Sequence, residues 1–328
     1  MARKFECGPA RRERTLIAIG IIGPSGSGKT KSALRLADGM ARVGGGETWL
    51  VDTNNRRSLH HAEDHRFKVL HMPPPYSPDD YGTAFDHAIK AGARRIIVDS
   101  MSDEWEGEGG VLDMHEDELE RRCGKDYQKR ERANQACWIP AKRAHNKLKL
   151  WMFNQPVDWI LNFRAKEKVK PKAGQGIESI GWQPLGAEDL IYELLVKCLL
   201  RPQADGRPTW SSSIVQEQQL MKLPGWFRDL AREGTQLSED LGERFARWAA
   251  GGEERPTERP TSAPSQEAGP VDVAALVARF DACASREDFE VVDRDVRALL
   301  DRIPEAARAP LTDSALRAMR RYKGARGT

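Results

Sequence analysis

A short glycine-rich segment near the N-terminus carries the residue types that bind phosphate. It has the sequence GPSGSGKT, and Lys31 follows it directly. Glycines let backbone N–H groups turn toward an anion, and a helix that starts here directs its positive end to the same point. In such a segment Lys29 reaches the β- and γ-phosphates of a nucleotide, while the Thr30 hydroxyl binds Mg²⁺. The spacing therefore predicts a nucleoside triphosphate site, with a chance glycine-rich turn as the alternative. The expected nucleotide-binding residues are Gly23, Pro24, Ser25, Gly26, Ser27, Gly28, Lys29, Thr30 and Lys31.

One acid ends a long apolar run near the middle of the chain. The run is RRIIVDS, residues 94–100, and its continuous apolar character is typical of a parallel strand covered on both faces. Ligands collect at the carboxyl ends of such strands, so Asp99 is placed to hold the water shell of Mg²⁺. The alternative is that Asp99 only caps a turn. We predict Thr30 and Asp99 as the metal-binding pair.

Strands and helices that alternate along the chain must position these residues. Alternation of this kind predicts an α/β fold with a mostly parallel sheet. The segment DLIYELLVKCLLRP fits a strand and a helix equally well. The predicted strands are LIAIGII, TWLVD, FKVLHM, RRIIVDS and VDWILNFRA, and the clearest predicted helices are KSALRLADGMARV and DDYGTAFDHAIKAG.

Composition divides the chain into four parts. A basic N-terminal arm covers 1–14, and the α/β core covers 15–250. Residues 251–270 contain four prolines, many charges and no aromatic residue, which predicts a disordered linker. Apolar residues at helical spacing then predict a small helical module over 271–328.

Charge is segregated along the chain although the formal net charge is only +3. Residues 99–120 hold ten acids and no Lys or Arg, whereas 121–172 hold fifteen Lys or Arg and four acids. Such a division indicates either a surface that faces a polyanion or simply a solvated helix face. The five cysteines have no metal-ligand spacing, and the longest apolar run, LIAIGII, is too short to span a bilayer. We expect reduced thiols, no membrane anchor and a cytoplasmic location.

Five cations alternate with other residues in the stretch FRAKEKVKPK. They are Arg164, Lys166, Lys168, Lys170 and Lys172, and in a continuous strand all five would share one face. Five cations cannot face an apolar core, so this face meets solvent, phosphate or a neighbouring subunit. A charged edge strand that discourages aggregation is the alternative to a binding surface.

Several segments resemble a known family over roughly residues 15–250. They are DSMSDEWEGEGGVLD, FRAKEKVK, IGWQPLGAEDLIYELLV and PPPYSPDDY, and together they are similar to phage RecA-core ATPases of the Sak-four-type single-strand annealing or recombination group. The resemblance implies a RecA-like fold that binds ATP and Mg²⁺. It also implies single-stranded DNA as a partner, a homo-oligomer, and a role in phage recombination or replication beside single-strand binding or replication proteins. If the protein is phage-encoded, it acts in the host cytoplasm.

The resemblance also suggests roles for individual side chains. RecA-like proteins use the FRAKEKVK region to sense the γ-phosphate and contact single strands, which assigns sensing to Arg164 and DNA contact to Lys166, Lys168, Lys170 and Lys172. The acidic loop 103–109 lies close to Asp99 in sequence. Glu104 in this loop could polarise the attacking water or pair with a neighbour's basic strand, or the loop could simply be solvated.

The stretch LVDTNNRRS differs from the family at one position. In the proteins it resembles, this strand ends in Asp-Thr-Glu, and the Glu activates the attacking water. Here Asn54 holds that position. An amide orients a water but does not accept its proton at neutral pH, so we expect slow hydrolysis with binding retained. Asp52, Glu104 or Glu106 could supply the base instead, or Asn54 could be a turn residue with left-handed backbone angles.

Three functions follow from these observations. An ATP-dependent recombination protein that anneals or pairs single strands is the leading hypothesis. A nucleotide-switched binding protein with little turnover is the second. A P-loop small-molecule kinase is the third, although the sequence has no evident lid with clustered arginines.

Overall fold

The computed structural model describes residues 14–172, 176–232, 234–251, 272–283, 286–299, 303 and 308–324. The chain divides into two compact units, Met1–Glu253 and Glu254–Thr328. Almost all of the predicted arm 1–14 and linker 251–270 lies outside the described residues, so these boundaries stay predictions. No helix in the described ranges is both long enough and apolar enough to cross a membrane.

The described residues of the first unit form a seven-stranded sheet. Its strand order is β3-β2-β4-β5-β1-β7, all neighbours on this path are parallel, and β6 pairs antiparallel with β5. The expected α/β fold with a mostly parallel sheet is confirmed. The strands are β1 Ala18–Gly23, β2 Glu47–Asp52, β3 Lys68–His71, β4 Ala93–Asp99, β5 Asp158–Lys172, β6 Gly176–Pro184 and β7 Val196–Leu199.

Helices connect these strands and cover the sheet. The segment DLIYELLVKCLLRP, which fitted two structures, contains both: helix α6 ends before strand β7 begins. In the first unit the helices are α1 Lys29–Gly44, α2 Pro78–Lys90, α3 Ser102–Glu106, α4 Val111–Cys123, α5 Tyr127–Phe153, α6 Glu188–Glu193, α7 Val215–Gln218 and α8 Glu239–Ala249, with 3₁₀ turns at Arg57–His61 and Gly225–Phe227.

Apolar side chains from both faces of the sheet form two cores. Along β4, Ile96 and Val98 join the core under α2 and α5, whereas Ile97 between them joins the core under α1 and α8. This period of two follows from strand geometry. A sheet buried on both faces explains why its strands appear in the sequence as largely apolar runs.

The described residues of the second unit form three helices, α9 Val273–Ala282, α10 Arg286–Leu299 and α11 Arg308–Gly324. Their shared apolar cluster includes Leu276, Phe280, Phe289, Val292 and Leu311. These residues have the helical spacing that the sequence predicts for this region.

Candidate functional site

The glycine-rich loop joins the end of β1 to the start of α1. Because the strands on the main path are parallel, it lies at the same edge of the sheet as the ends of β2 and β4. Gly26 and Gly28 have φ angles of 76° and 88°, in the left-handed region that favours glycine. Glycine is required at position 23 for a different reason, because a Cβ there would lie 2.4 Å from the carbonyl oxygen of Leu200. The loop is therefore both tightly wound and closely packed against the chain after β7.

Lys29 lies inside the curve of this loop. Its Nζ donates to the carbonyl oxygens of Gly23 at 2.9 Å and Pro24 at 2.7 Å, and the residue is only 8% exposed. Burial lowers the pKa of Lys29; the charge of Asp99 opposes that shift, and the charge of Arg164 adds to it. The ammonium group is thus held in the loop, where the charges of Asp99 and Arg164 both act on it.

Thr30, Asp99 and Asn54 meet beside the lysine. The Thr30 hydroxyl donates to the Asp99 carboxylate at 2.5 Å. The Asn54 amide lies 3.2 Å from the Asp99 carbonyl oxygen and 3.4 Å from a carboxylate oxygen. Burial raises the pKa of Asp99, although the hydrogen bond from Thr30 and the charge of Lys29 oppose the shift. A helix start, a strand end and a loop therefore bring three polar side chains to one point.

Asp52 is the acid nearest to Asn54, and it holds the loop after β2 closed. One carboxylate oxygen accepts from the Asn54 backbone N–H at 2.7 Å, and the other accepts from the Ser58 N–H at 3.0 Å and from the Ser58 hydroxyl. Asp52 is 1% exposed. Both oxygens are therefore occupied by loop donors, which makes Asp52 a poor substitute for a general base.

The interpretation of Asn54 as a left-handed turn residue is wrong. The positive φ angles lie one and two positions later, at Asn55 (53°) and Arg56 (62°). Sequence reasoning located the turn correctly but assigned the wrong residue to it, since each of the two neighbouring asparagines tolerates that conformation.

Asp103 has a central place in the site that the sequence did not reveal. The Thr53 hydroxyl donates to one of its oxygens at 2.6 Å, and the Arg164 guanidinium donates to the other. Thr53 in turn accepts from the Ser100 N–H at 2.8 Å. Asp103 thus connects the ends of β2 and β4 with Arg164 of β5. The only available signal was its position four residues after Asp99.

Glu104 faces away from this network. The sequence suggested that segment 103–109 was a loop, but the segment begins inside helix α3. Glu104 is only 1% exposed, so it does not belong to a solvated loop. Its carboxylate lies 2.8 Å from Nδ1 of His145, whose Nε2 lies 3.1 Å from Asp189. Burial alone would lower the pKa of His145, but its hydrogen bonds and the two carboxylate charges raise it. The catalytic role of Glu104 stays a prediction that this geometry does not favour.

Arg164 lies in β5 directly opposite Gly23 of β1. Its guanidinium contacts Asp103 and lies 3.4 Å from Glu106, and its buried Nε has no hydrogen-bond partner among the described residues. Its charge also lowers the pKa of Lys29. The predicted sensor residue is therefore beside the loop, held by acids of α3.

Asn162, also in β5, is a second residue that sequence reasoning missed. It lies opposite Asp99 in the strand register and is fully buried. Its amide is near enough to favour the ionised Asp99 carboxylate, yet its side-chain nitrogen and oxygen make no hydrogen bond of normal geometry within the described residues. The hydroxyl of Ser27 in the loop is likewise buried without a partner there. An amide in the otherwise apolar run DWILNF was the available signal.

The alternating lysines occupy a hairpin apart from these contacts. Strand β5 continues to Lys172 and pairs with β6, with a register shift between Lys168 and Val169. Lys166, Lys168 and Lys170 are exposed, and so are the residues between them. The side chain of Lys172 lies outside the described residues. The expectation that no apolar core covers the cations is confirmed for Lys166, Lys168 and Lys170, and the partner of these lysines stays a prediction.

The fold and the site together define an α/β protein with a mostly parallel sheet and a polar cluster at the carboxyl edge of its strands. No protein-family model matches the chain, and no curated protein matches it either. In the described residues, no group of three or more His, Cys, Asp or Glu side chains could hold a metal ion. Any metal here would need hydroxyl or water ligands beside Asp99.

Proposed function

We propose that this protein is a RecA-like P-loop ATPase that binds ATP with Mg²⁺ at the carboxyl edge of its sheet. One observation carries the proposal. Lys29 and Thr30 from the start of α1 lie close to Asp99 from the end of β4, with the Thr30 hydroxyl at 2.5 Å from the carboxylate. A lysine, a hydroxyl and an acid beside a glycine-rich turn are the groups that phosphoryl-transfer proteins use.

The residues fit a nucleotide with its metal. Lys29 and the loop N–H groups would hold the β- and γ-phosphates, and the Thr30 hydroxyl and Asp99 would hold Mg²⁺. Two protein oxygens suffice, because Mg²⁺ keeps several of its waters. When bound, Mg²⁺ neutralises charge on the phosphate oxygens. The unpartnered Ser27 hydroxyl and Asn162 amide support the assignment, because buried polar atoms without partners are costly unless a ligand or water satisfies them.

The same geometry supports slow hydrolysis. The acids around Asp99 are already engaged: Asp52 by the loop after β2, Asp103 by Thr53 and Arg164, and Glu104 by His145. Asn54 holds the remaining position beside Asp99. This arrangement favours a second candidate function, a nucleotide-switched binding protein in which ATP is held rather than rapidly consumed.

For the partner, we propose single-stranded DNA contacted by the β5–β6 hairpin. The exposed Lys166, Lys168 and Lys170 support this, since lysines on an exposed strand bind phosphates without reading sequence. The biological role would be annealing or strand pairing in phage recombination, by a homo-oligomer acting beside single-strand binding or replication proteins. No specific observation favours a small-molecule kinase.

ATP hydrolysis by the full chain, with and without single-stranded DNA, separates these functions. A recombination ATPase gives slow turnover that DNA stimulates, and a switched binding protein gives tight ATP binding with negligible turnover in both conditions. If the chain binds no ATP in the presence of Mg²⁺, the proposed function is wrong.

A further inference from the structure

Two arginines lie beside the candidate site and have none of the roles assigned above. Arg56 and Arg57 follow closely after Asn54, whose side-chain amide lies 3.2 Å from the Asp99 carbonyl oxygen. Both arginines are exposed. In the part of the chain that the structure describes, neither guanidinium forms an ion pair or a hydrogen bond. Two exposed arginines without an acidic partner in the described residues therefore follow the polar cluster directly in sequence.

The backbone is unusual at Arg56, which directly precedes the 3₁₀ turn Arg57–His61. Asn55 and Arg56 both have positive φ, a conformation that is strained for residues other than glycine. It persists here because the buried Asp52 accepts from the Asn54 N–H at 2.7 Å and the Ser58 N–H at 3.0 Å, closing the loop from both sides. The buried Asp52 carboxylate thus holds the loop that carries Arg56 and Arg57. Both arginine side chains are exposed and can contact a ligand.

Basic groups continue along the 3₁₀ turn that follows. Partial burial lowers the pKa of His61, and the charges of His65 and Lys31 lower it further. Lys31 belongs to the first turn of α1, so the turn Arg57–His61 lies near the start of that helix. The charge of Asp64 acts in the opposite direction on His61 but does not outweigh these effects. The lowered pKa favours the neutral imidazole, so Lys31 and the two arginines, rather than His61, supply the positive charge here.

We propose that Arg56 and Arg57 bind the terminal phosphate of a nucleoside triphosphate held in the glycine-rich loop of the same chain. The inference rests on the proposed function and adds to it a specificity for triphosphate over diphosphate. A guanidinium is suited to the task because it is always charged and donates two parallel hydrogen bonds to phosphate oxygens. A diphosphate lacks the group that the arginines contact, so its affinity does not depend on them.

Paired affinities test the assignment. With Mg²⁺ present, dissociation constants are measured for ADP and for a non-hydrolysable ATP analogue, using the full chain and the double variant Arg56→Gln with Arg57→Gln. Losing charged hydrogen bonds should weaken analogue binding about ten- to hundredfold and leave ADP binding unchanged. Arg66→Gln is the matched control. Arg66 precedes β3, which runs parallel to β2, so it lies at the amino ends of the strands, away from the candidate site. Its replacement should change neither dissociation constant.

Other outcomes would contradict the assignment. An unchanged analogue-to-ADP preference in the double variant overturns it, and so does an equal loss for both nucleotides, which indicates a role in loop structure. If mixing the double variant with a Lys29→Met chain restores the preference, the contact lies between subunits and the same-chain assignment is wrong. A wild-type chain that binds ADP and the analogue equally well overturns the inference but leaves the proposed function standing. A wild-type chain that binds neither nucleotide contradicts both the inference and the proposed function.

Discussion

The hydroxyl of Thr30 donates to the carboxylate of Asp99 at 2.5 Å, across 69 positions of sequence. Thr30 begins the helix that follows β1, Asp99 ends β4, and β5 lies between these two strands in the sheet. The start of α1 therefore reaches past β5 to meet the end of β4. A hydroxyl and a carboxylate held this close are placed to bind one cation together.

Lys29→Met is expected to weaken ATP binding while the chain stays folded. Hydrogen bonds to charged groups contribute about 1.5–3 kcal/mol, which corresponds to a loss of affinity of about ten- to hundredfold. The structure adds a smaller effect on stability, since Lys29 also donates to the carbonyl oxygens of Gly23 and Pro24. Calorimetric titration with ATP and a thermal melt measure the two effects separately. Wild-type affinity in a folded variant would show that the lysine does not contact nucleotide.

Asn54→Glu is expected to raise ATP turnover. A positioned general base typically contributes about 10² to 10⁴ in rate, and the wild-type amide beside Asp99 cannot act as one. Asn54→Gln is the matched control, because it lengthens the side chain without adding a base. Turnover is compared with saturating single-stranded DNA. If wild type is already fast and the Glu variant does not exceed it, the base is another residue.

The affinity for single-stranded DNA is expected to fall steeply as salt rises. Each phosphate contact contributes a slope of about −0.7 in a plot of log affinity against log salt. Lys166→Ala with Lys168→Ala should flatten this slope by roughly one to two units, because both side chains are exposed on the hairpin. Lys142→Ala with Lys147→Ala on α5 is the comparison. A slope that changes only in the α5 variant would move the binding surface to 121–149.

His145 makes stability depend on pH in a predictable direction. Its pKa is raised in the folded chain because Glu104 and Asp189 contact its two ring nitrogens. A raised histidine pKa contributes stability that is complete below the unfolded value of about 6.5 and is lost as pH rises through the folded value. The free energy of unfolding in urea should therefore fall from pH 6 to pH 8, and less so in His145→Gln. Equal pH dependence in the two chains would contradict the charge assignment.

The sequence was most informative where local rules decide the structure. Largely apolar runs located β1, β2, β4 and β5, because a strand covered on both faces is mostly apolar. The glycine spacing likewise predicted the turn between β1 and α1.

The sequence was less informative where tertiary packing selects one of two neighbouring residues. Asp103 and Glu104 are adjacent acids, and successive helix positions point about 100° apart. Glu104 contacts His145 of α5 and Asp103 contacts Arg164 of β5, so tertiary contacts decide which acid faces the site. Asn162 was missed for a similar reason: its importance depends on the register that sets it beside Asp99.

Mg²⁺-dependent ATP binding by Thr30→Val tests the central claim most directly. Valine keeps the shape of threonine but removes the hydroxyl that contacts Asp99. Thr83→Val, an exposed site on α2, is the matched control. We predict that Mg²⁺ strengthens ATP binding in wild type and in Thr83→Val, and that this gain is largely lost in Thr30→Val while binding without Mg²⁺ is unchanged. The same Mg²⁺-dependent gain in all three chains would contradict a nucleotide–metal site at Thr30 and Asp99.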